Sequence, residues 1–561
     1  MRTIVVSALL GGGAVSASSQ KSLSPDVHND VESQATWSSL KSAWEGYIQH
    51  VMTEWHAPGL AIAVINGSET WNQGFGVASL ETGEAVTPHT LFATGSTTKS
   101  FISAGLSLLI DNSSDYDGIS WDTPISHVLR DDFVLSDEWA TEAMRTDYTQ
   151  HITFEDALSH RTGYPGHGES IHNSSTQVVR SLRHLPLSSS SRTRFEYNNM
   201  MYVVVGHALT TLTGLDLTTF LHQHLWVPMD MHETFLEVYD PWLNGRGLTR
   251  ASSYAWSEQG AYVLDTTLDG HLYGLAAAGA VYSNVADYTK YLRIMLAEAG
   301  PMSKAGHREV KMPRSFMDFN KEMFITPTME WYGLAWMAGV FEGEHAYWHT
   351  GTVNNMVTYM LIVPSREIGI VVMANSRSKV RELVTYRVLY DLFGIDEARR
   401  PDHEAHFRES RTREREHVAT CSQRLYPDLP RPPLPATLPL GAYRGTYSHP
   451  GYGNLFIGTL DELEANNSGL SGLLSSSSLQ ENKMTLYIWK SPEAASQILG
   501  KLEHKTGEHW MTYISTFNLP EEVDYCSRTE FRVGVDGHVK QVGVDLRMEM
   551  DDTPLVWFDR L

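Results

Sequence analysis

Apolar positions recur with helical spacing from about Trp37 to Trp55, and Pro58 closes that segment. Leu60 to Ile65 is then an unbroken apolar run. Asn66-Gly67 has hairpin-turn chemistry, and Thr70 to Val77 reads as the returning strand. Helical patterns dominate from Ser96 to about Leu225. Tyr332 to Phe341, Met356 to Val363 and Ile368 to Ala374 are again β-rich, with a turn at Pro364-Ser365-Arg366 and a helix from about Val380 to Phe393. Strands from both ends of this stretch predict one antiparallel sheet, with a helical subdomain inserted between them. From Asp396 to His417 the pattern changes to crowded Arg, Glu, Asp and His, which reads as a solvated helix or linker. Tyr426 to Pro439 is a proline-rich spacer. Beyond it, short strands at Tyr443–Tyr447, Leu455–Gly458, Met484–Trp489, Trp510–Ser515 and His538–Leu546 are split by Gly, Asn and Ser turns, the pattern of a small all-β barrel. Gly469 to Ser478 is low in complexity and reads as a loop.

The first residues carry a different signal. Arg2 is followed by an apolar or small tract, Ile4 to Val15, and Val15-Ser16-Ala17 suits cleavage after Ala17. The expected layout is a signal peptide at 1–17, a catalytic α/β domain at 18–395, a charged then proline-rich linker at 396–439, and a β-barrel domain at 440–561. Export gives meaning to the sequons at Asn66, Asn112, Asn173 and Asn466. It also gives meaning to the two cysteines, Cys421 and Cys526, which either pair in an oxidising compartment or stay as buried thiols. The localisation expected is extracellular. A formal net charge of −23 argues against a nucleic-acid partner and against docking on anionic lipid. No apolar run beyond the N-terminus approaches the ~18 residues of a membrane span. Oligomeric state has no sequence signal.

Chemistry enters through serine and lysine. A nucleophilic serine needs a base, an oxyanion site and a proton for the leaving group. Ser-x-x-Lys on a helix places an amine beside the hydroxyl, and a desolvated lysine loses its proton near neutral pH. The pattern occurs four times, at Ser18/Lys21, Ser38/Lys41, Ser96/Lys99 and Ser376/Lys379. Only Ser96 follows a turn glycine, Gly95, and opens an apolar helix through Phe101, Ile102, Leu106 and Leu109. Alone, Ser96 would read as a helix cap. Two further motifs change that: Tyr197-Asn198-Asn199, 101 residues on (197−96), and His349-Thr350-Gly351, 152 residues further (349−197). Tyr452-Gly453-Asn454 and Lys505-Thr506-Gly507 imitate them but fall in the expected barrel, and are set aside. The histidines at 151, 160, 167, 172, 222 and 224 show no ligand spacing, so neither metal nor cofactor is expected.

In this order and spacing the motifs resemble the serine β-lactamase and penicillin-binding-protein superfamily, in its class C β-lactamase-like branch with D-aminopeptidases and esterases. Ile152-Thr153-Phe154, Leu158 to Gly163, Trp226 to Met231 and Ala278 to Ser283 extend the resemblance over roughly Trp37 to Phe393. The tail is similar to the lipocalin-like domain that some members append. The resemblance implies that Ser96 attacks a carbonyl, that Lys99 and Tyr197 share base and acid duties, and that Asn199 orients Lys99. It also implies that the backbone N–H groups of Ser96 and Thr352 form the oxyanion hole beside Thr350 and Gly351, and that His349 recognises a leaving group or carboxylate.

Two departures bear on substrate. The histidine replaces a lysine, so a positive charge is expected there only below a pKa near ~6.5, and anionic substrates should gain as pH falls towards ~6. The glycine usual a few residues later is replaced within Val353-Asn354-Asn355-Met356, where Asn tolerates positive φ. Both disfavour β-lactam hydrolysis. The expected activity is cofactor-free acyl transfer to water from a small-molecule or peptide ester or amide. An acyltransferase on the same serine and a non-catalytic binding protein on this fold are the alternatives.

Overall fold

A computed structural model describes residues 36–561 apart from 117, 136–147, 171, 238–239, 258, 266–272, 318–328, 467–484, 491–497, 517–524 and 547–554. The signal-peptide segment and the Gly469–Ser478 loop lie outside the described residues. An eight-stranded antiparallel sheet organises the larger part of the chain. Numbered in chain order, its strands are β1 (Gly59–Asn66), β2 (Glu69–Gly76), β3 (Ser315–Phe316), β4 (Trp331–Tyr332), β5 (Met337–Phe341), β6 (Glu344–Val353), β7 (Met356–Val363) and β8 (Ile368–Ala374). They lie side by side in the order β2-β1-β8-β7-β6-β5-β4-β3. The expected Tyr332–Phe341 strand is in fact two, because the chain turns at 333–336, where Ala335 takes φ 71°.

The continuous apolar runs have a simple cause: both faces of the sheet are covered. In β1, Leu60, Ile62 and Val64 face one core while Ala61, Ala63 and Ile65 face the other. In β8, Ile370 and Val372 alternate in the same way with Val371 and Met373. One face is covered by helices α1 (Trp37–Glu54) and α5 (Val380–Leu392), which contribute Trp44, Ile48, Leu383 and Leu389. The other is covered by α2 (Thr98–Asp111), α3 (Asn199–Thr213) and α4 (Val285–Ala297). These five and α6 (His403–Ala419) are the helices of at least thirteen residues among the described ones.

The charged segment after α5 is thus helical, as α6, but only partly solvated. Phe407 packs edge-on against Trp55, and His403 stacks beside Tyr390. Cys421, just beyond α6, is disulfide-bonded to Cys526 with the Cα atoms 6.3 Å apart.

The C-terminal region is a closed barrel of eight antiparallel strands, each paired with the next in sequence and the last, Val556–Arg560, with the first, Gly445–His449. The strands Tyr525–Val533 and Val556–Arg560 were not anticipated. Tyr443, Trp510 and Phe531 fill the barrel with mutual ring contacts. Its Gly451-Tyr452 turn meets the helical subdomain: Tyr452 Oη lies 2.6 Å from His167 Nδ1, and His172 Nε2 lies 3.2 Å from the Gly451 carbonyl. The side chains of Asn66, Asn112 and Asn173 are exposed, and that of Asn466 lies outside the described residues.

Candidate active site

Ser96 stands in a single tight turn, Gly95–Thr97, that runs straight into α2. Gly95 takes φ 57°, and a Cβ there would fall 2.7 Å from the Thr352 nitrogen. A side chain is therefore excluded both by conformation and by space. Gly351 is pressed from the other side, since a Cβ on it would lie 1.9 Å from the Thr94 oxygen and 3.2 Å from the Ser96 nitrogen. The pairing of β5 with β6 ends at Trp348. Past that point the Ser96 turn, not another strand, lies against β6. The backbone N–H of Ser96 and that of Thr352 are brought next to one another in this way.

Lys99 lies one turn along α2, fully buried. Its Nζ is 2.9 Å from Ser96 Oγ, 2.7 Å from Asn199 Oδ1 and 2.7 Å from the Ala278 carbonyl oxygen. All three neighbours are neutral. Burial without a compensating carboxylate holds the amine well below its usual pKa of 10.5. The rings of Tyr197 and Tyr202 close over it, with centroids 5.0 and 5.4 Å from Nζ. Ser96 itself is only half-buried, so its hydroxyl is reachable while the Lys99 amine stays dry.

Asn199 is the first residue of α3, and Asn198 caps that helix by accepting from the Met201 N–H. The Asn198 amide also donates to the Pro165 carbonyl at 2.5 Å. His160, with φ 57°, accepts the Asn198 N–H on Nδ1 at 3.0 Å and lays its ring 4.3 Å from that of Tyr197. Burial pushes its pKa well down, so His160 is a neutral support for the Tyr-x-Asn segment. Sequence reasoning missed His160 as a site residue. Its only signal was its place in the Leu158–Gly163 segment. It also missed Ala278, whose contribution is a carbonyl oxygen and leaves no trace in residue type.

His349 requires a correction. It lies on β6 beside the cluster, with its ring 6.4 Å from that of Tyr197, but it is buried, and it faces Tyr332. Nδ1 is 2.6 Å from the Thr350 carbonyl oxygen, which can only accept, so Nδ1 carries the proton. Nε2 then accepts from the Tyr332 hydroxyl at 2.9 Å. Burial, the largest cause, with Arg381 adding repulsion, lowers the pKa to about 3. Near pH 6 burial therefore favours the neutral ring, against the expected pH-gated carboxylate holder. The Asn354 expectation met its geometry: the residue takes φ 51° in the two-residue turn between β6 and β7.

The other motifs have other occupations. Ser376 donates to the His56 carbonyl, and Lys379 lies over the Phe407 ring. Lys41 lies over Trp37 on α1. Lys505 donates to Ser422 and Glu503 in the barrel, at the tip of the hairpin that turns on Gly507.

The chain belongs to the β-lactamase family: the Beta-lactamase family profile matches residues 44–392. Among its relatives it is 34% identical over 421 residues to unguisins hydrolase ungD' of Aspergillus campestris, across 73% of this chain and 76% of that one. It is 33% identical over 443 residues to unguisins hydrolase ungD of Aspergillus violaceofuscus, across 74% and 76%. Among solved structures it resembles the octameric penicillin-binding protein homologue from Pyrococcus abyssi, with a TM-score of 0.57 at 18% identity over 90% of this chain and 98% of that one. A D-amino acid amidase from Ochrobactrum anthropi SV3 aligns with TM-score 0.51 at 20% identity over 63% and 99%, a likeness of fold.

Proposed function

We propose that the protein is a serine hydrolase that cleaves an amide bond through an acyl-enzyme on Ser96. The observation that carries this reading is the buried, carboxylate-free Lys99 amine 2.9 Å from a half-exposed serine. In this reading neutral Lys99 takes the Ser96 proton as Oγ bonds to the carbonyl carbon. The N–H groups of Ser96 and Thr352 receive the negative charge on the carbonyl oxygen. Tyr197 and Lys99 return a proton to the leaving nitrogen as the C–N bond breaks. Water, deprotonated by the same pair, then releases the acid and restores the Ser96 hydroxyl. Asn199 holds the lysine in place, and neutral His349 with Tyr332 supports β6 from behind. The hydrolase names of the relatives support amide cleavage. A site without a fixed cation at position 349 supports poor turnover of penicillins and cephalosporins. The Arg2–Ala17 leader supports export.

The test is labelling with a fluorophosphonate, followed by peptide mass spectrometry. The adduct should fall on the peptide containing Ser96 and vanish in Ser96→Ala, whose fold should survive because the half-exposed Ser96 hydroxyl caps neither its own turn nor α2. An adduct on Ser376, or none on a preparation that cleaves its substrate, would overturn the assignment. D-amino-acid amides, short-chain esters and a chromogenic cephalosporin then rank the substrate classes, with the cephalosporin expected last.

A further inference from the structure

The turn between the first two barrel strands, Gly445–His449 and Gly453–Gly458, is seated in the helical subdomain. It carries Tyr452, the first residue of the Tyr-Gly-Asn that imitates the site motif. His449 braces the turn from within, its Nδ1 accepting from the N–H groups of Gly451 at 3.0 Å and Tyr452 at 3.2 Å. Gly451 permits the close approach, since a Cβ there would lie 2.7 Å from Leu185 Cδ2 and 3.2 Å from His184 Cβ. Tyr452 is buried, and its hydroxyl lies 2.6 Å from Nδ1 of His167, which is buried too. The Pro186 carbonyl oxygen, 2.9 Å from His167 Nε2, can only accept, so Nε2 carries a proton. In the neutral ring Nδ1 then accepts from the Tyr452 hydroxyl.

His167 takes φ 45°, a conformation that a residue other than glycine keeps only when its surroundings hold it there. Tyr452 and Pro186 hold its ring, and Ser170 donates to its carbonyl oxygen at 2.7 Å. Two residues earlier, the Pro165 carbonyl accepts from the Asn198 amide at 2.5 Å, and the Tyr164 carbonyl lies 3.4 Å from the same nitrogen. Asn198 stands between Tyr197 and Asn199, and Asn199 Oδ1 is 2.7 Å from Lys99 Nζ. A second contact runs beside the first: the Ser170 hydroxyl lies 3.3 Å from Sδ of Met200, the residue after Asn199. The barrel turn is thus joined to the lysine by a short series of packed and hydrogen-bonded groups. Asn198, which reads in the sequence as a spacer between two site residues, is the middle link.

We propose that Tyr452 is a positioning residue for the Ser96 reaction. Its hydroxyl holds His167, His167 fixes the Tyr164–His167 loop, and that loop holds Asn198 so that Tyr197 and Asn199 stand against Lys99. The role is exerted through the loop and not on the reacting atoms. The inference rests on the serine hydrolase reading above and gives the barrel a part in it. The demand on geometry is high, because misplacing a reacting group by about 1 Å costs on the order of 100-fold in rate.

The experiment compares three full-length variants with the unaltered chain. Tyr452→Phe removes only the hydroxyl, and Gly451→Val pushes the turn out of its seat. Tyr447→Phe is the control: it removes another buried barrel hydroxyl, one that donates to the Tyr443 carbonyl at 2.7 Å and stays within the barrel. Melting curves establish that each is folded. The quantity read is the rate at which a fluorophosphonate modifies Ser96, followed against probe concentration. In Tyr452→Phe the limiting rate at saturation should fall about tenfold. The half-saturating concentration should change by less than about twofold, because positioning acts on the chemical step and not on probe binding. Gly451→Val should lose more, and Tyr447→Phe should keep the full rate. Amide hydrogen exchange of the Tyr197–Met201 peptide should quicken in the first two variants and not in the third. A limiting rate that Tyr452→Phe leaves in place overturns the role of Tyr452. An equal fall in Tyr447→Phe overturns it as well, by tracing the effect to barrel stability at large. Failure of the underlying reading looks different: the unaltered chain then takes no label on Ser96, while the exchange measurement still reports whether the turn holds the segment.

Discussion

Lys99 and Lys505 are both buried lysines in motifs of the same family pattern, yet they have opposite surroundings. Lys99 touches a hydroxyl, an amide oxygen and a backbone carbonyl, and no carboxylate. Lys505 touches a hydroxyl, Ser422, and a carboxylate, Glu503, each at 2.8 Å. The Lys505 ammonium has a counter-charge and serves to pin the linker to the barrel. The Lys99 amine has none, so burial favours its neutral form, which is the form that accepts a proton. What separates the two lysines is the charge of one neighbour, and a three-letter motif does not encode it.

The comparison is most directly tested by removing the base. Lys99→Ala should lower kcat by about 100- to 10,000-fold, the usual worth of a positioned proton-transfer group, with a much smaller change in KM. A drop confined to KM would place Lys99 in binding instead. The sharper experiment gives Lys99 the environment of Lys505. Asn199→Asp puts a carboxylate where Oδ1 now stands 2.7 Å from Nζ. An opposite charge at that distance should raise the lysine pKa by about 1–3 units. Less of it is then neutral at pH 7, and the acid limb of the kcat/KM profile should move upward, with activity recovering at higher pH. An unmoved limb would mean that Lys99 does not control it.

Stability gives a third comparison. The folded-state pKa of Lys99 is depressed, so between that value and 10.5 the unfolded chain binds the extra proton. The contribution of this residue to stability is therefore fully present only above 10.5 and is lost as pH falls. Lys99→Met should melt above the unaltered protein at pH 7, and the gap should narrow as pH rises towards 10. Glu503→Gln should do the reverse in kind, lowering stability by only about 0.5–1 kcal/mol because Glu503 is half-exposed, with kcat unchanged. The smallest effect concerns histidines. Burial holds His349 at about 3 and His449 at about 4. Both pKa values are depressed, so the stability these rings contribute is present above 6.5 and drains as pH falls towards those values. Melting temperatures followed from pH 7 to pH 4.5 should decline, and His449→Gln should flatten part of the decline.

Much of the architecture could be read from periodicity. β7 and β8 coincide with their expected spans because apolar residues covered on both faces announce themselves. Two barrel strands escaped because they alternate weakly: Tyr525–Val533 interleaves Arg and Glu with Ser, Thr and Phe. The cluster of Ser96, Lys99, Tyr197 and Asn199 could be read because helix geometry fixes its first pair and ordered spacing supplies the rest. The state of His349 could not, since it depends on Tyr332 from β4, two strands away across β5. Nor could the packing of α6, since its charge run hides the contact of Phe407 with Trp55 and of His403 with Tyr390.

The position of β1 in the sheet has a temporal consequence. β1 lies between β2, its immediate successor in the chain, and β8, about 300 residues later. Ser96 waits likewise for β6, since the strand that lies against its turn begins at Glu344. During synthesis at ~5–20 residues per second, the nucleophile leaves the ribosome well before the backbone that completes its pocket. Contacts between segments so far apart form late and slowly. A nascent or truncated chain ending before Glu344 would carry the serine and lysine but not the apposed strand. Hydrolytic competence therefore arrives in one step, with the closing of the sheet, and shorter fragments should be inert towards active-site labels.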